Sequence, residues 1–125
     1  MDTLKNPPSC FQIGSDDVSE DCLYLNIWTP QQANNLPVII WLHGGGFKTG
    51  SSTSRLDDPK LFVSETNLIY VTIEYRLSIF GFLFMDHENA PGNMGLLDQQ
   101  LAIKWIYENI VYFGGDNTKI TVTDF

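Results

Sequence analysis

The stretch that decides the fold is Val38-Ile39-Ile40-Trp41-Leu42-His43-Gly44-Gly45-Gly46-Phe47. Its first half is a continuous apolar run, which is typical of a strand buried on both faces of a sheet. Three consecutive glycines follow the strand directly. By themselves they indicate either a tight turn, where glycine supplies unusual backbone angles, or a loop whose backbone N–H groups form an oxyanion hole. Such donors stabilise the negative charge that acyl transfer builds on a carbonyl oxygen.

Apolar patterns elsewhere in the chain predict three further strands. Residues 23–28 alternate apolar and polar side chains, as a half-buried strand does. Residues 68–73 form a second continuous apolar run, and a last strand is predicted at 119–123. With a helix between the last two strands, this order indicates one α/β domain whose sheet is mostly parallel.

The segments between these strands contain one long helix and several connections. We predict an amphipathic helix at 96–109, a short helix at 61–64 and a hairpin-like connection at 29–36. Residues 77–94 are interpreted as a loop, and 114–117 as a turn. The apolar stripe of the long helix, spaced by about one helical turn, consists of Leu97, Leu101 and Trp105, widened by Ala102 and Ile106.

Composition excludes several classes of partner. The 125 residues include 43% hydrophobic ones, which is enough for a single domain. Seven basic and 15 acidic residues give a net charge of −8, so nucleic acid and anionic lipid surfaces are not expected to bind. No stretch approaches the ~20 apolar residues of a membrane span. The sequence begins without a secretory h-region, so either the chain is cytosolic or its native start lies upstream.

Five segments resemble motifs of the type-B carboxylesterases, a family that includes cholinesterases, liver-type carboxylesterases, bile-salt lipase and the neuroligins. Ser19-Glu20-Asp21-Cys22-Leu23-Tyr24-Leu25-Asn26-Ile27 closely resembles the family's second signature. The glycine loop resembles its oxyanion segment. The other matching segments, in chain order, are Glu74-Tyr75-Arg76 with Phe80-Gly81-Phe82-Leu83, then Ala90 to Gln99, and Phe113-Gly114-Gly115-Asp116 with Ile120-Thr121-Val122.

This resemblance implies a partial α/β-hydrolase fold, the first half of its central, mostly parallel sheet. Residues 1–125 would form one incomplete domain that stops before the nucleophile elbow. Gly45 and Gly46 would supply the oxyanion donors, and Gly44 would shape the turn. Small-molecule carboxylic esters would be the substrates of the full-length parent, with no cofactor and no metal.

The resemblance also implies two structural pairs. Composition alone would favour Cys10 and Cys22 as separate thiols, because no export signal is visible. In the family they form a disulfide, which would place the parent outside the cell or in the ER lumen. Arg76 would pair with Asp98; the alternative is two solvated charges worth ~0–1 kcal/mol. Glu20 lacks the upstream arginine that pairs with it in the family, so we expect it to face water.

Part of the catalytic machinery of a serine esterase is missing from the sequence. No G-x-S-x-G motif is present, and the last three residues depart from the family pattern. His43 is interpreted as a structural residue and His87 as a solvated one, so neither replaces the catalytic base. No cluster of His, Cys and Asp has the spacing of metal ligands. We therefore expect this chain alone to be inactive and, with half a sheet, to self-associate.

The sequence leaves the substrate and even the catalytic class open. Choline esters are disfavoured, because no tryptophan lies between Cys10 and Cys22 to stack on a cation, and Lys48 and Asp57 stand where cholinesterases have tyrosines. One alternative function is a non-catalytic adhesion protein like the neuroligins; another is a splice remnant without a function of its own. The intact His43-Gly44-Gly45-Gly46 motif favours the enzyme.

Overall fold

The computed structural model describes residues 6–54 and 58–124. Eight strands and three α-helices follow one another in these two ranges. The strands are β1 (Ser9–Cys10), β2 (Val18–Ser19), β3 (Leu25–Trp28), β4 (Leu36–Leu42), β5 (Ile69–Ile73), β6 (Phe84–His87), β7 (Ala90–Pro91) and β8 (Gly115–Asp124). The helices are α1 (Pro59–Thr66), α2 (Ser78–Phe82) and α3 (Met94–Asn109), and a 3-10 turn covers Ile110–Phe113.

A four-stranded sheet in the order β3-β5-β4-β8 forms the centre of the fold. β4 pairs in parallel with both β5 and β8, and β3 runs antiparallel to β5. The predicted α/β class is therefore confirmed. The prediction of a hairpin-like connection at 29–36 is wrong, because β5 lies between β3 and β4 in the sheet. The apolar β4 is covered on both edges by β5 and β8, so β3 can pair only with the outer edge of β5.

Helices cover both faces of the sheet. On one face Val38, Ile40 and Val71 pack with Ile106 of α3 and Ile110 of the 3-10 turn. On the other face Val63 of α1 packs against Trp41 and Tyr70. α1 is longer than the predicted 61–64, because the Asp58 carboxylate caps it by accepting a hydrogen bond from the N–H of Leu61 at 3.0 Å.

The apolar stripe predicted for α3 is only partly correct. Leu97, Leu101 and Trp105 are 56%, 66% and 41% exposed, so this part of it does not lie against the sheet. Ala102 and Ile106, which were predicted to widen the stripe, do pack against the sheet. The helix also buries Asp98, which pairs with Arg76, so an apolar contact and a polar contact together orient its buried face.

The region predicted as a loop at 77–94 contains regular structure. α2 occupies its first part, and β6 and β7 form a small antiparallel pair in the rest. The backbone carbonyl of Arg76 lies where a Cβ at Gly81 or Gly95 would be, so α2 and α3 both approach it closely only because these positions are glycine. β8 begins at Gly115, earlier than predicted, because only Gly114 makes the turn before it.

The Cys10–Cys22 disulfide is present, with a separation of 12 residues, and confirms the pairing that the resemblance implied. Both half-cystines are buried in a small cluster with Tyr75 and Leu77. Glu20 is exposed, as expected. In the described ranges, no helix is long and apolar enough to cross a membrane.

We expect the 125-residue chain, expressed on its own, to self-associate. In the described part of the chain no strand pairs with the outer side of β8, so the backbone groups of a 10-residue strand are open to another molecule. Sedimentation velocity over a concentration series measures this association. Val122→Lys, at a position 44% exposed on that strand, should shift the chain toward monomer. Val111→Lys, at a residue 47% exposed outside the sheet, is the control. A wild-type monomer at every concentration contradicts the expectation.

We also expect the disulfide to stabilise the chain measurably. Closing a loop of this size is worth roughly 3 kcal/mol in the chain-entropy model. The double variant Cys10→Ser/Cys22→Ser should lose about that much of the free energy of unfolding in urea titrations. Thiol counting on secreted, natively folded chain should find no free thiol, and two titratable thiols are the outcome that refutes the disulfide.

Candidate functional site

The glycine loop and a buried carboxylate meet because two parallel strands end together. Leu42, the last residue of β4, is in register with Ile73, the last residue of β5. His43 and Glu74 are the next residues along the two strands, so they leave the sheet side by side at its carboxyl edge. In open α/β sheets this edge is where ligands bind.

The backbone of the glycine loop is held in left-handed conformations. Gly45 and Gly46 have φ angles of 121° and 61°, and Phe47 also has a positive φ of 61°. The carbonyl of Gly45 accepts hydrogen bonds from the N–H groups of Lys48 and Thr49 at 3.1 and 3.3 Å. A Cβ on Gly45 would collide with the backbone of Thr49, whereas Gly46 has open space around it. Only glycine therefore fits the first of these positions.

The two N–H groups assigned as oxyanion donors are available to a ligand. Within residues 6–54 and 58–124, no group accepts a hydrogen bond from the N–H of Gly45 or of Gly46. Both residues are exposed, so water can solvate these donors until a ligand replaces it. Gly44 is half-buried and precedes the turn, and its carbonyl lies 3.1 Å from Nδ1 of His43.

Phe47 anchors the far end of the glycine loop to α2. Its carbonyl accepts a hydrogen bond from the N–H of Ser78 at 2.7 Å, and its ring contacts that of Phe82 with centroids 4.8 Å apart. Ser78 also has a positive φ, 53°. Non-glycine residues in this conformation cost of order 1–3 kcal/mol each. The surrounding contacts fix both strained residues, so the loop is held rigidly at this end.

His43 holds the start of the glycine loop in place through its contacts with Tyr75. Its ring is buried and stacks on Tyr75, with centroids 4.3 Å apart and an angle of 12° between the ring planes. The hydroxyl of Tyr75 donates a hydrogen bond of 2.6 Å to the carbonyl of His43. Burial lowers the pKa of His43, which keeps the ring neutral. The same desolvation, with smaller contributions from nearby acids, raises the pKa of Tyr75 to about 12.

Glu74 is a functional candidate that the sequence interpretation missed. It is only 2% exposed. Its Oε1 accepts a hydrogen bond of 2.7 Å from the N–H of Ser52, and its Oε2 lies 3.7 Å from Nε2 of His43. Burial raises the pKa of Glu74, with hydrogen bonds from Ser52 opposing this shift. The sequence feature that could have identified Glu74 is an acidic residue directly after a fully buried strand.

Gln12 was also missed, and it fixes the segment that follows the glycine loop. Its side-chain amide donates to the carbonyl of Gly50 at 2.7 Å and accepts from the N–H of Gly50 at 2.9 Å. A third hydrogen bond, of 3.2 Å, runs from the same amide to the carbonyl of Cys10. The disulfide segment and the polar loop are thus joined through one nearly buried side chain. Glutamines are common, and nothing in the local sequence distinguishes this one.

Arg76 and Asp98 form the pair that the resemblance implied. Nε and an Nη of Arg76 each donate to one carboxylate oxygen of Asp98, both at 2.7 Å, and the N–H of Arg76 adds a third hydrogen bond of 3.1 Å. The Asp98 side chain is 6% exposed and that of Arg76 is 38% exposed. Hydrogen bonding to Asp98 raises the pKa of Arg76. The contact ties the segment after β5 to the start of α3.

Comparisons with known proteins identify the family of the chain. The profile of the carboxylesterase family matches residues 1–123. The chain belongs to the carboxylesterase family. It is 55% identical over 137 residues to Acetylcholinesterase 4 of Caenorhabditis briggsae, covering 98% of this chain and 23% of that protein. Acetylcholinesterase-1 of Trittame loki is 44% identical over 133 residues, which cover 94% of this chain and 24% of that protein. Cholinesterase 1 of Branchiostoma lanceolatum is 45% identical over 106 residues, which cover 84% of this chain and 30% of that protein.

This carboxylesterase chain thus spans about a quarter of the length of the curated relatives it matches. Beside its glycine loop is an open cleft of about 530 Å³, lined by Gly46, Phe47, Ile79, Phe82 and Leu83 among others. Most of these side chains are apolar, which suits the uncharged part of an ester.

The remaining residues singled out in the sequence differ in their distance from the loop. Lys48 is exposed and lines the cleft beside the glycine loop, and its N–H donates to the carbonyl of Gly45. Asp57 lies outside the described residues. His87 is exposed, as expected, and its Nδ1 accepts a hydrogen bond from the N–H of Asn89 at 3.2 Å. The described residues contain no group of His, Cys, Asp and Glu that could hold a metal ion.

We expect the two donor glycines to respond differently to alanine. Gly46→Ala should cost about 1 kcal/mol of the free energy of unfolding, because alanine disfavours a positive φ but meets no neighbour. Gly45→Ala should cost at least about 2 kcal/mol, because its Cβ also meets the backbone of Thr49. Urea unfolding of dilute protein, followed by tryptophan fluorescence, measures both. Gly14→Ala, with a φ of 88° in open space, is the control and should match Gly46→Ala. Equal losses at Gly45 and Gly46 contradict the assigned geometry.

Proposed function

We propose that this chain supplies the oxyanion hole of a serine carboxylesterase. The observation that carries the proposal is the pair of exposed N–H groups of Gly45 and Gly46, which have no partner among the described residues and lie on a loop held at both ends beside a largely apolar cleft. The nucleophile, base and acid would come from residues outside these 125, since the sequence contains no G-x-S-x-G motif. The short length relative to the curated relatives is consistent with such a division.

In the proposed reaction, the ester carbonyl lies with its oxygen toward the two N–H groups. Attack by the serine converts this oxygen into an alkoxide, and the two donors bind the alkoxide more strongly than the carbonyl. Each such donor typically lowers the barrier by ~2.7–4 kcal/mol. The left-handed backbone of the loop is already in place before attack, so little reorganisation is required when the charge forms.

The substrate class that we propose is the carboxylic esters as a whole. The names of the three relatives above point to choline esters. Against this, no tryptophan lies between Cys10 and Cys22, and a quaternary ammonium group is usually bound by stacked aromatic rings. The alignment with the Caenorhabditis briggsae protein extends over 137 residues, more than the 125 of this chain, so that relative has residues in the matched region that this chain lacks. Neutral and cationic esters therefore have to be compared directly.

We expect the purified 125-residue chain not to hydrolyse p-nitrophenyl acetate above a control treated with an organophosphate, because it contains no activated serine. Turnover that organophosphate abolishes would overturn this expectation. The longer polypeptide that contains this segment should hydrolyse the ester. Gly45→Ala in it should lower kcat about 10²–10³-fold, because the added Cβ meets the backbone of Thr49 and moves the N–H donors away from the oxyanion.

Two further outcomes decide the remaining alternatives. A faster reaction with acetylthiocholine than with phenyl thioacetate would identify choline esters as the preferred substrates. No turnover by the longer, folded polypeptide, together with a residue other than serine at the elbow, would assign it to the non-catalytic binding members of the family.

A further inference from the structure

We propose that Glu74 is a positioning residue for the glycine loop, and that it acts through its buried contact with His43, a pair that together carries one proton. This inference rests on the proposed function, since the loop has a catalytic role only if its N–H groups bind an oxyanion. It adds a residue and a pH dependence to that site, and Glu74 itself touches no reacting atom.

The contacts of Glu74 join three segments behind the loop. One carboxylate oxygen holds the N–H of Ser52 at 2.7 Å, in the polar loop that Gln12 fixes at Gly50. The other oxygen faces Nε2 of His43 at 3.7 Å. Within the described residues, neither Oε2 of Glu74 nor Nε2 of His43 has a hydrogen-bond partner, although both are buried. At 3.7 Å the two atoms are too far apart for a direct hydrogen bond, so their contact is electrostatic and its sign depends on the protons that the pair carries.

The contacts of the two imidazole nitrogens of His43 show which of them carries a hydrogen and which does not. Nδ1 of His43 lies 3.1 Å from the carbonyl of Gly44, which can only accept, so Nδ1 holds a hydrogen. In the neutral ring Nε2 then carries a lone pair and no hydrogen, and it faces Oε2 of Glu74. One additional proton, on Glu74 or on His43, makes this contact attractive. Without it, an unprotonated carboxylate and a lone pair are buried against each other.

The surroundings favour the state with one shared proton. Burial raises the pKa of Glu74 and lowers that of His43, so the neutral acid and the neutral ring are both stabilised. The other titratable groups facing the pair are Tyr75, stacked on the ring, and Asp124, whose charge opposes the lowering of the His43 pKa. Tyr24, Asp98 and Glu74 line one cavity.

The direction of each pKa shift gives the pH dependence. The contribution of Glu74 to stability is present below the ordinary carboxyl pKa and is lost as pH rises through its raised, folded value. The contribution of neutral His43 is present above ~6.5 and is lost as pH falls through its lowered value. The pair therefore stabilises the loop most where His43 is neutral and Glu74 is protonated.

Activity of the longer polypeptide tests the positioning role. Glu74→Leu should lower kcat roughly a hundredfold, the loss expected when a catalytic group is displaced by about 1 Å, with KM nearly unchanged. Glu74→Gln should rescue most of this loss, because its carbonyl can accept from Ser52 while its amide donates to Nε2 of His43. It should also abolish the alkaline decline of kcat, because the amide does not titrate. Glu65→Gln, an exposed site on α1, is the control.

A spectroscopic readout separates this inference from the proposed function. In ¹⁵N-histidine-labelled 125-residue chain, the rings of His43 and His87 are the only two signals. His43 should keep its Nδ1 hydrogen and show an alkaline step that disappears in Glu74→Gln. An unaltered His43 profile in that variant overturns the inference. Wild-type inactivity with the expected His43 profile overturns only the proposed function, whereas full activity in Glu74→Leu overturns the positioning role.

Discussion

The parallel register between β4 and β5 is the constraint on which the site depends. Because Leu42 and Ile73 are paired, the residues that follow them leave the sheet at the same height. That pairing brings His43 against Glu74, although 31 residues separate them in sequence. β4 is packed on both faces, with Val38 and Ile40 against Ile106 on one side and Trp41 against Val63 on the other, and these contacts hold the base of the glycine loop in place.

The glycine loop is preorganised by contacts at both ends, and this explains how it keeps its donors open. His43 and Tyr75 hold the first end, and the hydrogen bond from Ser78 to Phe47 holds the second. Positive φ angles in this loop are unfavourable by themselves. The cost is offset by the packing around the loop, which leaves the N–H groups of Gly45 and Gly46 directed away from any internal acceptor in the described chain.

Sequence patterns predicted the parts of the fold that depend on strong local signals. The runs in β4 and β5, the helix at 96–109 and the glycine turn are local, and the disulfide followed from resemblance. The wrong expectations concern tertiary choices. Leu97, Leu101 and Trp105 were expected on the buried face of α3, yet that face carries Ile106 and Asp98, whose partners lie on the sheet and at Arg76. Glu74 and Gln12 were missed because their partners, His43 and Gly50, are more than 30 residues away.

Keeping Glu74 uncharged also has an electrostatic consequence for the proposed chemistry. A bare carboxylate beneath the glycine loop would repel the alkoxide that the loop is proposed to bind. At a separation on the order of 10 Å and an effective dielectric constant of about 20, that repulsion is about 1.7 kcal/mol. This is about half of what one oxyanion donor contributes, ~2.7–4 kcal/mol. A carboxyl group that shares its proton with His43 keeps its hydrogen bond to Ser52 without this penalty. The same side chain can then order the loop and leave the potential at the donors favourable to negative charge.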